Sequence, residues 1–281
     1  MTGCATPLDT RVDAELVALN QRATSLIPDF FTGVRIEQQG GVPIRFEEMW
    51  VSYFAAEMLG NADAALITIV HNRGRQARIL ERQMYEVLKK TEYYVAHPDE
   101  ARLELLAAPW RDKEFAEQMQ WDQASVRYVS ILKAIDTVSR RFPDVPQYAR
   151  HHRREKTFRE MVGDQCDIEA THEYAFNYRR LSQTAHVAAA GMEDVFDYRS
   201  DGNIGIKFDS RLADPDFAIQ NMTLYLISFL NVVNQLFELG RDEEVDDLTA
   251  CSDQIMARLR PEEHCAANAD DRGACSVPQP A

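Results

Sequence analysis

Apolar residues along this chain recur at intervals of three and four, the spacing of helices that bury one face. Val12, Leu16, Leu19, Ala23 and Leu26 predict a first helix over about residues 8–26, ended by Pro28. Gly40-Gly41-Val42-Pro43 predicts a loop. Met49, Trp50, Tyr53, Phe54 and Met58 form the stripe of a second helix, Glu47 to Leu59. Asn61-Ala62-Asp63 supplies a start for the next helix, about 64–94 in one or two pieces, with Gly74 as a kink. His97-Pro98 stops it, because a residue before proline resists the α region.

Further along, a short helix over Glu100–Ala107 is broken by Pro109. A long one over Arg111–Arg141 carries Phe115, Met119, Trp121, Val126, Val129, Leu132, Ile135 and Val138, and Pro143 and Pro146 close it. A basic run follows from Tyr148 to Val162, then a helix from Glu169 to Met192. Asp201-Gly202, between two runs rich in Val, Phe, Tyr and Ile, is a hairpin signal near 195–208. Helices over Pro215–Leu239 and Glu243–Leu259 finish the pattern, and the aperiodic stretch from Pro261 is expected to be a disordered tail. The expectation is an all-α fold: a single multi-helix domain of roughly eight to ten helices with one small β-hairpin. The boundaries are an N-terminal helix and loop at 1–43, the helical domain at 44–260 and the tail at 261–281.

Charge changes this picture in one respect. The 281 residues hold 31 Lys+Arg against 45 Asp+Glu, a net charge of −14, which argues against a sequence-blind nucleic-acid coat. The acidity is uneven: Arg73–Lys90 and Arg150–Arg159 are both strongly basic, whereas the stretch from Arg241 onward is acidic. Five cysteines without C-x-x-C spacing, and a start with no basic or apolar leader, fit reduced thiols in a cytoplasmic protein. The most apolar window, residues 222–239, is interrupted by Asn231, Asn234, Gln235 and Glu238, so no membrane partner is expected.

Two helices carry candidate chemistry. Over 74–94, at about 100° per residue, Leu80, Met84, Val87, Leu88 and Thr91 share one side. Arg75, Arg78, Arg82, Glu86, Lys89 and Tyr93 lie opposite, with Arg82 and Glu86 one turn apart. That stripe reads either as a solvated face with one salt bridge or as a basic groove in which Glu86 orients an arginine towards an anion. Over 174–191, Tyr178, Ser182 and His186 repeat every four residues among alanines. They read either as a buried polar seam that fixes helix register or as part of a site. Glu169-x-x-His172 is a single E-x-x-H, half of what a di-iron bundle needs, so neither a metal nor a cofactor is expected.

Taken in order, Arg82-x3-Glu86, Phe158-Arg159-Glu160-Met161-Val162 and Tyr178-x3-Ser182-x3-His186 resemble a bacterial family of all-helical proteins catalogued as a domain of unknown function. Its members read R-x-x-x-E in an early helix and Y-R-x-L-S-x-x-x-H in a later one. Tyr178-Arg179-Arg180-Leu181-Ser182 and His186 match, with Arg180 in the variable place. The likeness spans about residues 44–240 and implies a fold, not an activity.

A second resemblance is to the HEPN (higher eukaryotes and prokaryotes nucleotide-binding) superfamily, helical proteins that often act as metal-independent ribonucleases in toxin and defence systems. Their motif is an Arg, four to six residues and a His. Arg179-x6-His186 and Arg180-x5-His186 both fit, and Arg179 returns more nearly to the histidine's face. Leu181 departs from the pattern, in which a polar residue follows the Arg. This resemblance implies that His186 moves a proton at the ribose 2′-OH or leaving oxygen while Arg179 or Arg180 stabilises the phosphorane. It also implies RNA as partner and a homodimer with two His186 helices facing one cleft. The alternative is a non-catalytic module for a nucleotide, an anionic small molecule or a partner protein. Arg82, Glu86, Tyr178 and Ser182 would then be binding residues or a structural polar network.

Overall fold

The computed structural model describes residues 11–39, 42–71, 73–154, 156–157, 160–161, 196–198, 204–206, 212 and 214–260. It is all-α, with eight helices among the described residues. They are α1 (Ala14–Phe31), α2 (Phe46–Val70), α3 (Gly74–Ala96), α4 (Pro98–Gln118), α5 (Val126–Arg141), α6 (Val145–His151), α7 (Pro215–Leu236) and α8 (Asp242–Leu259). Two short antiparallel pairs accompany them: β1 (Gln38–Gln39) with β2 (Val42–Pro43), and β3 (Phe196–Tyr198) with β4 (Ile204–Ile206). The second pair is the hairpin expected near 195–208; its Asp201-Gly202 turn lies outside the described residues, as do the 169–192 helix and the 261–281 tail.

Prolines interrupt less than the sequence suggests. α1 runs through Pro28 for one more turn, because burial of Ile27 and Phe30 and the edge-to-face contact of Phe31 with Phe237 (5.6 Å) offset one missing backbone bond. α4 likewise runs through Pro109. The buried positions Val51, Phe54, Met58, Ala62, Ala65 and Ile69 continue one stripe past Asn61-Ala62-Asp63, so α2 does not restart there. The break comes at His71–Arg73, where the Arg73 amide bonds the Thr68 carbonyl at 2.7 Å, and Gly74 opens α3 instead of kinking it.

The expected 111–141 helix is two helices. Gln120 sits at φ 53, in the left-handed region that ends a helix, and Ser125 caps α5 by accepting the Tyr128 amide at 3.3 Å. Its apolar stripe is also not a core stripe: Phe115, Met119, Val126, Val129 and Leu132 are exposed. Among the described residues, α2 is the helix long and apolar enough to cross a membrane, whereas the sequence reading took 222–239 as the most apolar window and found it too interrupted to span. Much of α2 faces protein, through the buried stripe just named.

The chain divides into two compact units, and α2 and α3 contribute to both. The first comprises Met1–Thr32, Leu59–Met84 and Leu181–Ala281. In it α1, α7 and α8 pack on one another through Leu16, Phe30, Met222, Leu226, Phe229, Leu248 and other fully covered side chains. Asn20 Nδ2 donates to Thr223 Oγ1 at 3.0 Å inside that core and fixes the α1–α7 register. Asp13 caps α1 by accepting the Glu15 and Leu16 amides, both at 3.0 Å, and takes an ion pair from Arg258. Gly240, at φ 66, makes the turn into α8, and buried Asn234 accepts the Arg241 amide at 2.9 Å across it.

The second unit comprises Gly33–Met58 and Tyr85–Arg180. Trp50 stacks on Tyr94 with centroids 4.8 Å apart and donates its indole N–H to the Ala101 carbonyl at 2.9 Å, joining α2 and α3 to α4. α4, α5 and α6 close over Ala107, Val145 and Ala149, with Leu106, Trp110 and Phe142 packed around them.

Candidate anion-binding site

The site begins with two carboxylates one turn apart on α4. Glu104 is buried, at 2% exposure, and a buried carboxylate must be paired. Arg111 Nη1 donates to Glu104 Oε2 at 2.6 Å and Nη2 to the Glu104 carbonyl at 2.6 Å. The guanidinium thus bridges the turn in which Pro109 removes a donor. Tyr148 of α6 donates its hydroxyl to Glu104 Oε1 at 2.6 Å, and burial followed by that bond raises the phenol above its ordinary value.

Glu100, four residues earlier, holds the segment that follows α6. Lys156 Nζ donates to Glu100 Oε2 at 2.8 Å and to the Tyr93 hydroxyl oxygen at 2.7 Å, while that hydroxyl donates to Glu100 at 2.5 Å. Burial opposes ionisation of Glu100, but the bonds from Lys156 and Tyr93 outweigh it and hold the carboxyl below its usual range. Burial, and then the Glu100 bond, push Tyr93 up to about 12. His97 stacks on the Tyr93 ring at 4.3 Å.

Between these anchors, at residues 148 and 156, runs the basic segment. It lines an open groove of about 540 Å³ with α4. Among the described residues, four arginines, Arg111, Arg150, Arg153 and Arg154, and His151 line it with one carboxylate, Glu114; Phe115 and Gln118 complete the wall. Arg154 is held by a two-point pair with Glu160, 2.8 Å at each nitrogen. That pair, then the Thr157 hydroxyl and amide, lowers the Glu160 carboxyl to about 2. Arg150 donates Nε to the Pro146 carbonyl at 3.2 Å. The groove is within the roughly 300–1,000 Å³ of ordinary ligand sites, and its wall is rich in N–H donors.

Of the candidates read from sequence, α3 carries Arg82 and Glu86. Glu86 forms its ion pair with Lys90, one turn on, at 3.1 Å, and Arg82 is half-buried. The side bearing Met84, Val87, Leu88 and Thr91 is buried as expected, but the opposite stripe ends in buried Tyr93 and is no solvated face. Tyr178, Arg179, Arg180, Ser182 and His186 lie outside the described residues. Sequence reasoning flagged the basic run but missed Glu104, Arg111 and Phe115, having given Phe115 to an apolar stripe. The available signal was the spacing Arg111-x3-Phe115, which puts both on one helix face. Among the described residues no three or more His, Cys, Asp or Glu side chains are placed to hold a metal ion.

Residues 48–204 match the model of a family described as a family of unknown function (DUF5677), more than half of the chain. The matched span stops before α7, short of the 44–240 suggested by the motifs. No curated protein and no solved structure matches.

Two outcomes follow from the anchors. Glu104→Ala leaves Arg111 and Tyr148 without their buried acceptor and lowers stability by about 3 kcal/mol in a denaturant titration, while Tyr148→Phe costs about 1 kcal/mol. Tyr93 gives a pH signature. Between pH 10, its ordinary value, and about 12 the unfolded chain has released a proton that the fold still holds, so stability falls as pH rises. Melting temperatures taken across that window decline less steeply in Tyr93→Phe than in the wild type; Tyr148 supplies part of the remaining slope.

Proposed function

The chain belongs to this DUF5677 family, and we propose that it binds an anionic, phosphate-bearing ligand in the groove between α4 and the basic segment after α6. One observation carries the reading: four arginines and a histidine gather around one cavity in a chain whose net charge is −14. Such a concentration opposes the molecule's long-range field, and it draws an anion only at short range, where the donors act. Arg111 and Arg154, oriented by Glu104 and Glu160, give the ligand directional hydrogen bonds. Arg150 and Arg153 supply the remaining charge. The setting is taken as cytoplasmic.

Inorganic polyphosphate is the direct probe. At low ionic strength it raises the melting temperature, and its affinity falls with salt. Arg150→Ala and Arg153→Ala each weaken it and flatten the salt dependence by about one unit of slope. Unchanged affinity in both variants places the anion elsewhere.

A second reading rests on the sequence motif Arg179-x6-His186: a HEPN-like endoribonuclease of a toxin or defence system. His186 would take the 2′-OH proton or give one to the leaving oxygen, and Arg179 or Arg180 would stabilise the phosphorane, with no metal in the reaction. Tyr178, Ser182, Arg82 and Glu86 would position the strand, and two copies would complete the cleft. Cleavage of RNA by the purified protein should survive EDTA and drop by at least about 100-fold in His186→Ala. RNA left intact by the wild type removes this reading and leaves the first untouched.

A further inference from the structure

We infer that the groove takes a single-stranded nucleic acid, with one unpaired base stacked on Phe115 and the flanking phosphates on Arg150 and Arg153. The inference rests on the anion-binding reading and names its ligand class. Phe115 is 55% exposed, yet it stands in the same wall as Arg111, on the same face of α4 and one turn away. Its ring meets Trp121 edge to face, with centroids 6.1 Å apart, and the Arg127 guanidinium lies over Trp121 at 4.6 Å. Cationic and aromatic groups therefore follow one another from the arginines of the groove through Phe115 and Trp121 to Arg127.

Charge bookkeeping in the groove points the same way. Glu104 compensates Arg111 and Glu160 compensates Arg154, which leaves Arg150 and Arg153 opposite Glu114. The net positive charge is small. It gives attraction and salt dependence, and tighter binding has to come from a surface that is not a charge. An exposed ring beside phosphate-binding arginines is that surface, since every base has a face to stack and none need be read by sequence. A paired base has both faces occupied, so a duplex gains only the phosphate contacts. The dielectric at an open groove keeps those weak.

The test is fluorescence anisotropy with labelled strands of about 12 nucleotides, oligo(U) and oligo(dT), beside an abasic strand of equal length, a duplex, and polyphosphate. Both base-bearing strands should bind at least about tenfold more tightly than the abasic strand and the duplex. Phe115→Ala should remove that advantage while leaving polyphosphate affinity unchanged, and Phe115→Trp should restore it. Because Phe115 is mostly exposed, its truncation leaves the fold intact, which an unchanged melting temperature verifies. If Phe115→Ala binds oligonucleotides like the wild type while Arg153→Ala weakens them, stacking is wrong and anion binding stands. If the abasic strand matches the base-bearing ones, stacking is likewise overturned. If neither polyphosphate nor any strand binds, both readings fall. Binding of both oligo(U) and oligo(dT) supports the shared single-strand chemistry.

Discussion

A carboxylate that has no access to water is the constraint on which the second unit depends. The buried Glu104 carboxylate needs donors, and it has two, Arg111 Nη1 and the Tyr148 hydroxyl, while Arg111 Nη2 also reaches the Glu104 carbonyl. Meeting that requirement has structural consequences. It ties Arg111 back to Glu104 across Pro109 within α4. It also pins α6 to α4 through Tyr148, and it fixes the plane of Arg111 at the groove wall.

Glu100 repeats the arrangement one turn earlier, at lower burial. Its partner Lys156 lies beyond α6, so the chain between residues 148 and 156 is held at both ends by one face of one helix. The groove arginines of that segment, Arg150, Arg153 and Arg154, fall within this span. Their backbone is thereby fixed by groups that take no part in meeting a ligand. Preorganisation of this kind lowers the ordering cost of binding, because the cationic segment is placed before an anion arrives.

The helices of this fold were largely legible as a periodic pattern, and the places where the reading failed share a cause. Pro28 and Pro109 look like helix ends because local chemistry removes a donor there. Burial of Ile27 and Phe30 offsets that loss at Pro28, and at Pro109 Arg111 ties the flanking turns together through Glu104; neither is visible at the proline itself. The converse error lies at Gln120, where a helix stops without glycine or proline. Ser125 was the readable sign, an N-cap followed by the α5 stripe. The candidate site divided in the same way. A run of basic residues from Arg150 is visible as composition, but the carboxylates that anchor its segment, Glu100 through Lys156 and Glu104 through Tyr148, are 56 and 44 residues away and look like ordinary charged positions of a helix. Phe115 was hidden for the opposite reason: an aromatic at helical spacing reads as core, and only burial shows that it is not.

Net acidity and a basic groove are compatible because they act over different distances. Screening at physiological salt limits the field of the distant carboxylates to about 8 Å, so an anion inside the groove responds to the side chains of its walls. Close to the acidic parts of the surface, the excess carboxylates of the −14 chain repel it. The same balance bears on what the groove can hold. A site that relied on uncompensated charge would attract any polyanion, and one set in an acidic chain, with two of its four arginines already paired, gains little from charge alone. Selectivity must then come from shape and from the exposed ring. That is why the groove is better understood as a seat for one unpaired nucleotide within a strand than as a general phosphate trap.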